Sequence, residues 1–146
     1  MLSNSSRYGI RAVTYLASRP DRKVQTGIAT ISGDLGLPAP FLAKILQQLV
    51  RHKILNSSKG PHGGFSLSKD PGEITVYEIV GIIEGEDIFH NCIIHNLSCR
   101  EVHERGEECI LHSDYSLIRR NLVDLFRSRT IDDLLRQAEG SDRIVI

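Results

Sequence analysis

Two short amphipathic helices followed at once by a glycine-rich hairpin constrain the fold of this 146-residue chain more than any other feature. Apolar residues at helical spacing predict a first helix over about 27–35, and Gly36 supplies the left-handed conformation common just beyond a helix end. A second helix is predicted over about 39–52 from an apolar stripe at i, i+3, i+4 and i+7. The stripe consists of Leu42, Ile45, Leu46 and Leu49. Two helices joined by so tight a turn predict a helix-turn-helix unit.

The hairpin is predicted from the stretch ILNSSKGPHGGFSLSKDP at 54–71. One strand begins near Leu55, Phe65 and Leu67 alternate along the other, and KGPHGG supplies the turn. Because two isolated strands are marginally stable in water, the hairpin must pack against the helices. A helix-turn-helix unit followed directly by this hairpin predicts a mainly α fold of the winged-helix type.

Periodicity predicts four further helices, over 4–18, 75–85, about 112–128 and from Thr130 onward. The helix over 75–85 opens with Thr75 and Glu78 in capping-box spacing. The helix over 112–128 carries a coiled-coil-like seam with spacings of three and four residues, which favours a role in dimerisation. The residues of this seam are Tyr115, Ile118, Leu122 and Leu125.

These elements predict three parts of the chain. They are a winged helix-turn-helix domain at 1–85, a loop at 86–112 that holds all three cysteines, and a long dimerisation helix with a C-terminal helix at 113–146. Residues 1–80 hold ten Lys and Arg against five Asp and Glu, whereas residues 81–146 hold eight against thirteen. A basic front half can approach a polyanion while an acidic back half faces away from it.

The three cysteines lie in the polar segment CIIHNLSCREVHERGEECILH at 92–112. No apolar run is long enough for a membrane span and the N-terminal residues show no apolar signal-peptide segment, so we expect a cytoplasmic protein whose thiols stay reduced. Cysteine spacings are wide, and only Cys109 and His112, with two residues between them, form a local clip. This spacing leaves an iron–sulfur cluster, a zinc ion and metal-free thiols open, with the cluster favoured.

The helix-turn-helix IATISGDLGLPAPFLAKILQQLVRHKIL, the wing SSKGPHGGFSLSKDPGEITVYEIVGIIEG and the three cysteines after them together resemble the IscR/NsrR-type iron–sulfur and nitric-oxide-sensing winged-helix repressors. The opening SSRYGIRAVTYLAS is similar to the first helix of that family. The resemblance implies a cytoplasmic homodimeric transcription regulator that binds a palindromic operator in double-stranded DNA.

The resemblance also implies a cluster held by three cysteines, matched here by Cys92, Cys99 and Cys109. His112 stands at the position of the histidine ligand in the IscR branch, which favours a 2Fe-2S over a 4Fe-4S cluster. In the nitric-oxide-sensing branch the fourth ligand is an aspartate, but Arg7 occupies that position here. Three other histidines are alternatives to His112 as the fourth ligand: His90, His95 and His103.

Family positions that read DNA are matched at the start of the second helix of the helix-turn-helix, by Pro38, Ala39, Pro40, Phe41, Ala43 and Lys44. Prolines and alanine offer few hydrogen bonds, so we expect direct readout to depend on Lys44 and on Gln47 or Gln48. Lys59 matches the wing arginine of the family. The remaining predicted DNA contacts are the wing-tip residues Gly60, Pro61 and His62 and the phosphate partners Arg7, Arg11 and Arg51.

Two other functions fit part of this pattern. An electron-transfer iron–sulfur protein would carry a cluster without sequence-specific DNA affinity, and a thiol-switched regulator on the same scaffold would bind DNA without iron. An enzyme is not expected, because the sequence shows no nucleophile–base pair, phosphate loop or paired catalytic carboxylates. No small-molecule substrate is expected either.

Overall fold

The computed structural model describes residues 2–92, 94 and 97–139, and within them seven α-helices and one β-hairpin form. In chain order these are α1 (Asn4–Ser18), α2 (Ile28–Leu35), α3 (Ala39–Arg51), β1 (Leu55–Ser58), β2 (Gly64–Leu67), α4 (Val76–Glu84), α5 (Cys99–Glu104), α6 (His112–Ser128) and α7 (Ile131–Glu139). Short 3-10 turns lie at Pro71–Glu73 and Glu86–Phe89. Across the described part of the chain, no helix combines the length and the apolar character that crossing a membrane requires.

The helix-turn-helix is confirmed. Helix α2 ends at Gly36, whose φ of 62° is left-handed and whose N–H donates to the Gly33 carbonyl. The predicted apolar stripe of α3 is buried against α1, where its members are at most 4% exposed. Because α3 buries this face in the core, its opposite, polar face is left for solvent or a partner.

The hairpin also forms as predicted, with Leu55 opposite Leu67 in an antiparallel register. Its apolar side chains lie in the same core as α1 and α3, so the two strands are held by the helices. The structure adds a contact that the sequence did not predict: Thr26 and Phe65 exchange two backbone hydrogen bonds of 2.9 Å. A Cβ atom at Gly64 would overlap the Thr26 carbonyl, so this third backbone segment requires glycine there.

Helix α7 returns to the core of the first domain. Ile131 and Leu135 are buried in the cluster that includes α1 and α3, and the Ile131 N–H donates to the Ile74 carbonyl at 2.9 Å. Helix α6, in contrast, has no buried residue. Its Val123 and Phe126 are half-buried against a small cluster of α4 and Phe89, while the predicted seam faces outward. The exposed seam residues are Ile118 (62%), Leu122 (43%) and Leu125 (49%).

The predicted cap of α4 by Thr75 is confirmed, and one local prediction needs correction. Thr75 caps α4 by accepting from the Glu78 N–H at 3.1 Å, but the Glu78 carboxylate accepts from Lys69 Nζ at 2.6 Å and does not complete a capping box. The segment before α6 was predicted as a loop, yet α5 forms within it. Ser98 and Glu101 cap α5 reciprocally, and hydrogen bonds from the Ser98 backbone N–H and hydroxyl hold the pKa of Glu101 below its usual range.

Glu84 ties the end of α4 to the start of α1. Its Oε1 accepts from the hydroxyl of Ser6 at 2.5 Å and from both the backbone N–H and the hydroxyl of Ser3. Partial burial raises the pKa of Glu84, but these hydrogen bonds outweigh it, so the net pKa lies below the ordinary value. The charged carboxylate therefore stabilises the fold at pH values above the ordinary glutamate pKa.

We predict that Glu84→Gln lowers the urea midpoint of unfolding near neutral pH. The difference from wild type should shrink as the pH falls through the depressed folded-state pKa, because the protonated wild-type side chain then loses the same charge. Exposed Glu107 offers a control, and Glu107→Gln should leave the midpoint nearly unchanged at each pH. A constant gap between Glu84→Gln and wild type down to strongly acid pH would contradict the assignment.

Candidate metal centre and nucleic-acid interface

Two of the three cysteines meet directly. Cys92 follows the turn at Glu86–Phe89 and is buried, and its Sγ lies 3.7 Å from the Sγ of Cys109, just before α6. A disulfide would need about 2 Å between the sulfurs, and none forms among the cysteines. Two thiolates bound to one tetrahedral metal at about 2.3 Å stand about 3.8 Å apart, so this spacing suits a shared metal atom.

The third cysteine and the predicted histidine line the same cavity as Cys109. This cavity has a volume of about 400 Å³ between α5 and the start of α6. Its lining consists of Cys99, Val102, His103, Glu107, Glu108, Cys109, His112 and Ser113. Three of the four predicted ligands thus face one space, and the fourth, Cys92, contacts Cys109 at its edge.

The candidate donors that the structure describes are spread apart and not tightly grouped. Among the described residues, no three His, Cys, Asp or Glu side chains stand close enough together to bind one metal ion. A cluster of several irons takes its ligands from separate directions and needs no such tight set. Of the alternative ligands, His103 lines the cavity, while His90 lies outside it beside Cys99 in a polar recess. His95 lies outside the described residues.

Arg119 joins the cysteine segment to α6. Its Nη1 donates to the carbonyls of His90 (3.0 Å) and Asn91 (3.4 Å) and to the Sγ of Cys99 (3.3 Å). One guanidinium therefore fixes both the approach to Cys92 and the first residue of α5. Sequence reasoning missed this residue, because a contact across 20 positions leaves no local pattern.

A second connection runs through Tyr77 of α4. Its ring stacks on Phe89 with 4.1 Å between centroids, and its hydroxyl donates to Glu86 at 2.8 Å. The Arg127 guanidinium of α6 lies over the same ring and hydrogen-bonds its hydroxyl, which raises the pKa of Arg127 further above its ordinary value. Tyr77 thus links α4 both to α6 and to the Glu86–Phe89 turn that precedes Cys92.

The predicted DNA-reading end of α3 is exposed. Pro38, Pro40 and Lys44 face solvent, Ala39 is half-buried, and Phe41 is 43% exposed. The Phe41 ring leans edge-on against Tyr8 of α1, with centroids 5.9 Å apart, so its position is fixed. This end of the helix offers apolar surface with one cation.

Further along α3 the surface is concave. A recess of about 560 Å³ is lined by Ala43, Lys44, Gln47, Gln48, Arg51 and His52. The Gln48 amide donates to the Ile82 carbonyl at 2.6 Å, which leaves Gln47 as the more exposed amide. His52 was not predicted, although its spacing of eight from Lys44 places it on the same face. Reading of bases by Gln48 stays a prediction.

The wing and α1 present the remaining predicted contacts. Lys59, Gly60, Pro61 and His62 at the hairpin tip are exposed, as are Arg7 on α1 and Arg51 on α3. Arg11, in contrast, donates to the Leu35 carbonyl at 3.0 Å and so supports the turn of the helix-turn-helix. The structure brings the α3 residues together on one face, while the DNA contacts themselves stay predictions.

A family model and a full-length relative both match a class of transcriptional regulators. The sequence profile of the Rrf2 family, described as an iron-dependent transcriptional regulator, matches residues 2–137. A protein of Aquifex aeolicus (strain VF5) that carries the name HTH-type transcriptional regulator is 32% identical over 139 residues, covering 95% of this chain and 94% of that protein.

Two solved structures share the fold. CymR, the global cysteine regulator of B. subtilis, superimposes with a TM-score of 0.74 at 22% identity, covering 97% of this chain and 98% of that chain. IscR of T. potens gives a TM-score of 0.73 at 21% identity, covering 100% of this chain and 93% of that chain. These likenesses confirm the mainly α winged-helix fold.

Proposed function

The chain belongs to the Rrf2 family of transcriptional regulators, and from that premise we propose that it is a cytoplasmic, homodimeric repressor whose binding to a palindromic operator is controlled by an iron–sulfur cluster. The signal would be redox state, nitric oxide or iron–sulfur status. Members of this family bind DNA and are not enzymes. The electron-transfer alternative is therefore set aside.

The observation that carries the proposal is the convergence of four donors at the start of α6. Cys92 and Cys109 meet at 3.7 Å, and Cys99 and His112 line the cavity beside them. These four residues would hold the cluster, and the single imidazole favours a 2Fe-2S over a 4Fe-4S type. When bound, such a group supplies a redox-active centre whose oxidation, nitrosylation or loss changes its charge.

Helix α6 is the element that would carry this change to DNA. His112 is its first residue, and Arg119 holds the cysteine segment against one side of the helix. The apolar seam faces outward. A second copy of the chain would cover that seam, as the dimerisation helix of a two-fold symmetric regulator. A shift of α6 would then alter the spacing of the two α3 helices and wings.

A thiol-switched regulator is the second candidate. One observation favours it, because the Sγ atoms of Cys92 and Cys109 are already in contact at 3.7 Å. The likeness to a cysteine regulator, CymR, extends to the whole chain but at 22% identity it concerns the fold. Iron and sulfide counts separate the two candidates, since the thiol switch requires neither.

We predict that Lys59→Ala weakens operator binding and flattens its dependence on salt. Loss of one phosphate contact should reduce the slope of log affinity against log salt by roughly one per protomer. Fluorescence anisotropy across a salt series would measure the slope. Arg136→Ala removes a cation that is paired with Asp132 on α7 and is not among the predicted DNA contacts, and it should leave the slope unchanged. An unaltered slope in Lys59→Ala would contradict a phosphate contact by the wing.

We predict that Leu122→Glu disrupts the dimer, because it places a charge at the centre of the exposed seam of α6. Loss of an apolar burial worth about 1.5–3 kcal/mol per side chain should raise the dimer dissociation constant at least about tenfold. Sedimentation velocity would report the change. Leu117→Glu makes the same substitution about 140° around the helix from Leu122, at 100° per residue, and should leave the dimer intact.

We predict that anaerobically purified protein is coloured and contains iron and inorganic sulfide, and that His112→Ala loses most of both. His103→Ala is the matched comparison, because His103 lines the same cavity and is the alternative to His112 as fourth ligand. Visible spectra with iron and sulfide counts give the result. Colourless wild-type protein would refute the cluster, and equal loss in His103→Ala would refute the assignment of the fourth ligand. Equal operator affinity of loaded and cluster-free protein would refute the control of DNA binding.

A further inference from the structure

Three thiols can pair in three ways, but the structure favours one pairing. The sulfurs of Cys92 and Cys109 are 3.7 Å apart, and rotation of the side chains must close less than about 2 Å to form a disulfide. The sulfur of Cys99 meets a different group, because it accepts a hydrogen bond from Arg119.

We propose that Cys92 and Cys109 form a reversible redox pair in the cluster-free protein, with a peroxide as oxidant and Cys99 left as a thiol. This inference rests on the proposed function, because it describes what the ligand cysteines do when the cluster is absent. It assigns to two of them a second role, as a site of oxidative modification.

The chemistry proceeds in two balanced steps. The thiolate of one cysteine attacks a peroxide oxygen, the O–O bond breaks, and hydroxide leaves to give a sulfenic acid. The thiolate of the second cysteine then attacks the sulfenic sulfur, forming the S–S bond and releasing a second hydroxide, and the thiol protons convert both hydroxides to water. In sum, two thiols and one hydrogen peroxide give one disulfide and two waters.

The burial of the two sulfurs assigns their order. Cys109 is half-buried and lines the cavity of about 400 Å³, so a small oxidant can reach it. Cys92 is only 9% exposed and lines a smaller recess of about 250 Å³ together with Phe89, so it is the less accessible of the two thiols. Cys109 is therefore the thiol that is oxidised first, and Cys92 is the thiol that resolves the sulfenic acid.

The pair would act as a lock on iron loading. A disulfide withdraws two of the four predicted ligands, so oxidised protein cannot take up a cluster until a reductant reopens the bond. The same bond would join Cys92, three residues beyond the Glu86–Phe89 turn, to Cys109, just before α6. Oxidised protein would thus hold the start of α6 in place without iron.

Peptide mapping tests the pairing. Cluster-free protein, prepared with a chelator under anaerobic conditions, is treated with hydrogen peroxide, alkylated, digested with trypsin and analysed by tandem mass spectrometry. Cleavage after Arg100 and Arg105 separates Cys109 from the other two cysteines, and the position of the alkyl group distinguishes Cys92 from Cys99. We expect a Cys92–Cys109 crosslink with alkylated Cys99. A crosslink that contains Cys99, or oxidation to sulfinic acid without any intramolecular crosslink, would overturn the proposal.

Two variants provide matched controls for this mapping. Cys99→Ser should form the crosslink as wild type does, whereas Cys109→Ser should form none. A Cys92–Cys99 crosslink that forms in Cys109→Ser at the wild-type rate would show that geometry does not select the pair.

Wild-type protein oxidised in this way should lose iron and sulfide uptake in reconstitution and regain it after dithiothreitol. Uptake unaffected by oxidation would contradict the lock. Iron-free protein from anaerobic preparations would refute the cluster but not the disulfide pairing, because the mapping uses cluster-free protein.

Discussion

The burial of Phe89 between α4 and α6 fixes the position of the whole cysteine site. Phe89 is 6% exposed and stacks on Tyr77, and the same small cluster receives Val123 and Phe126 of α6. Because Cys92 comes only three residues later, its sulfur is held close to this cluster. An apolar contact, and not the cysteines themselves, therefore brings the first predicted ligand to the side of α6. Arg119 adds a second attachment, through its hydrogen bonds to the His90 and Asn91 carbonyls and to the Cys99 sulfur.

Helix α6 consequently has two different faces. One carries Arg119, Val123 and Phe126, at i, i+4 and i+7, toward the cysteine segment and the Phe89 cluster, and the other exposes the apolar seam around Leu122. A helix moves largely as a rigid body, so a change at the cysteine segment is delivered to the seam without a chain of intermediate side chains. On the proposed function, this is why the ligands lie at the start of α6 and not within the winged helix itself. The acidic character of residues 81–146 keeps this half of the chain away from DNA.

Local patterns predicted most of the fold. The helices of residues 4–18 and 112–128 have the predicted bounds, and the α3 stripe and the hairpin form where local patterns predicted them. What the sequence did not predict depends on contacts between distant residues or on competition for one side chain. Thr26 joins the hairpin through backbone atoms only, Arg119 reaches Cys99 across 20 positions, and Glu78 binds Lys69 instead of completing its cap. Helix α5 is different, because its Ser98–Glu101 capping box was visible but only Val102 offered apolar support.

The recognition surface explains why control through α6 would be effective. Pro38 and Pro40 offer no side-chain hydrogen bonds, and the Gln48 amide is already bound to the Ile82 carbonyl. On the proposed function, hydrogen bonding from this face of α3 to base edges would depend on few groups, chiefly Lys44 and Gln47, and each good contact would discriminate by about 1–3 kcal/mol. With so few contacts per half-site, the affinity for an operator would depend strongly on two subunits binding together at the correct spacing. The proposed dimer would need no change within α3 to release DNA, because a change in the separation of its two subunits would be enough.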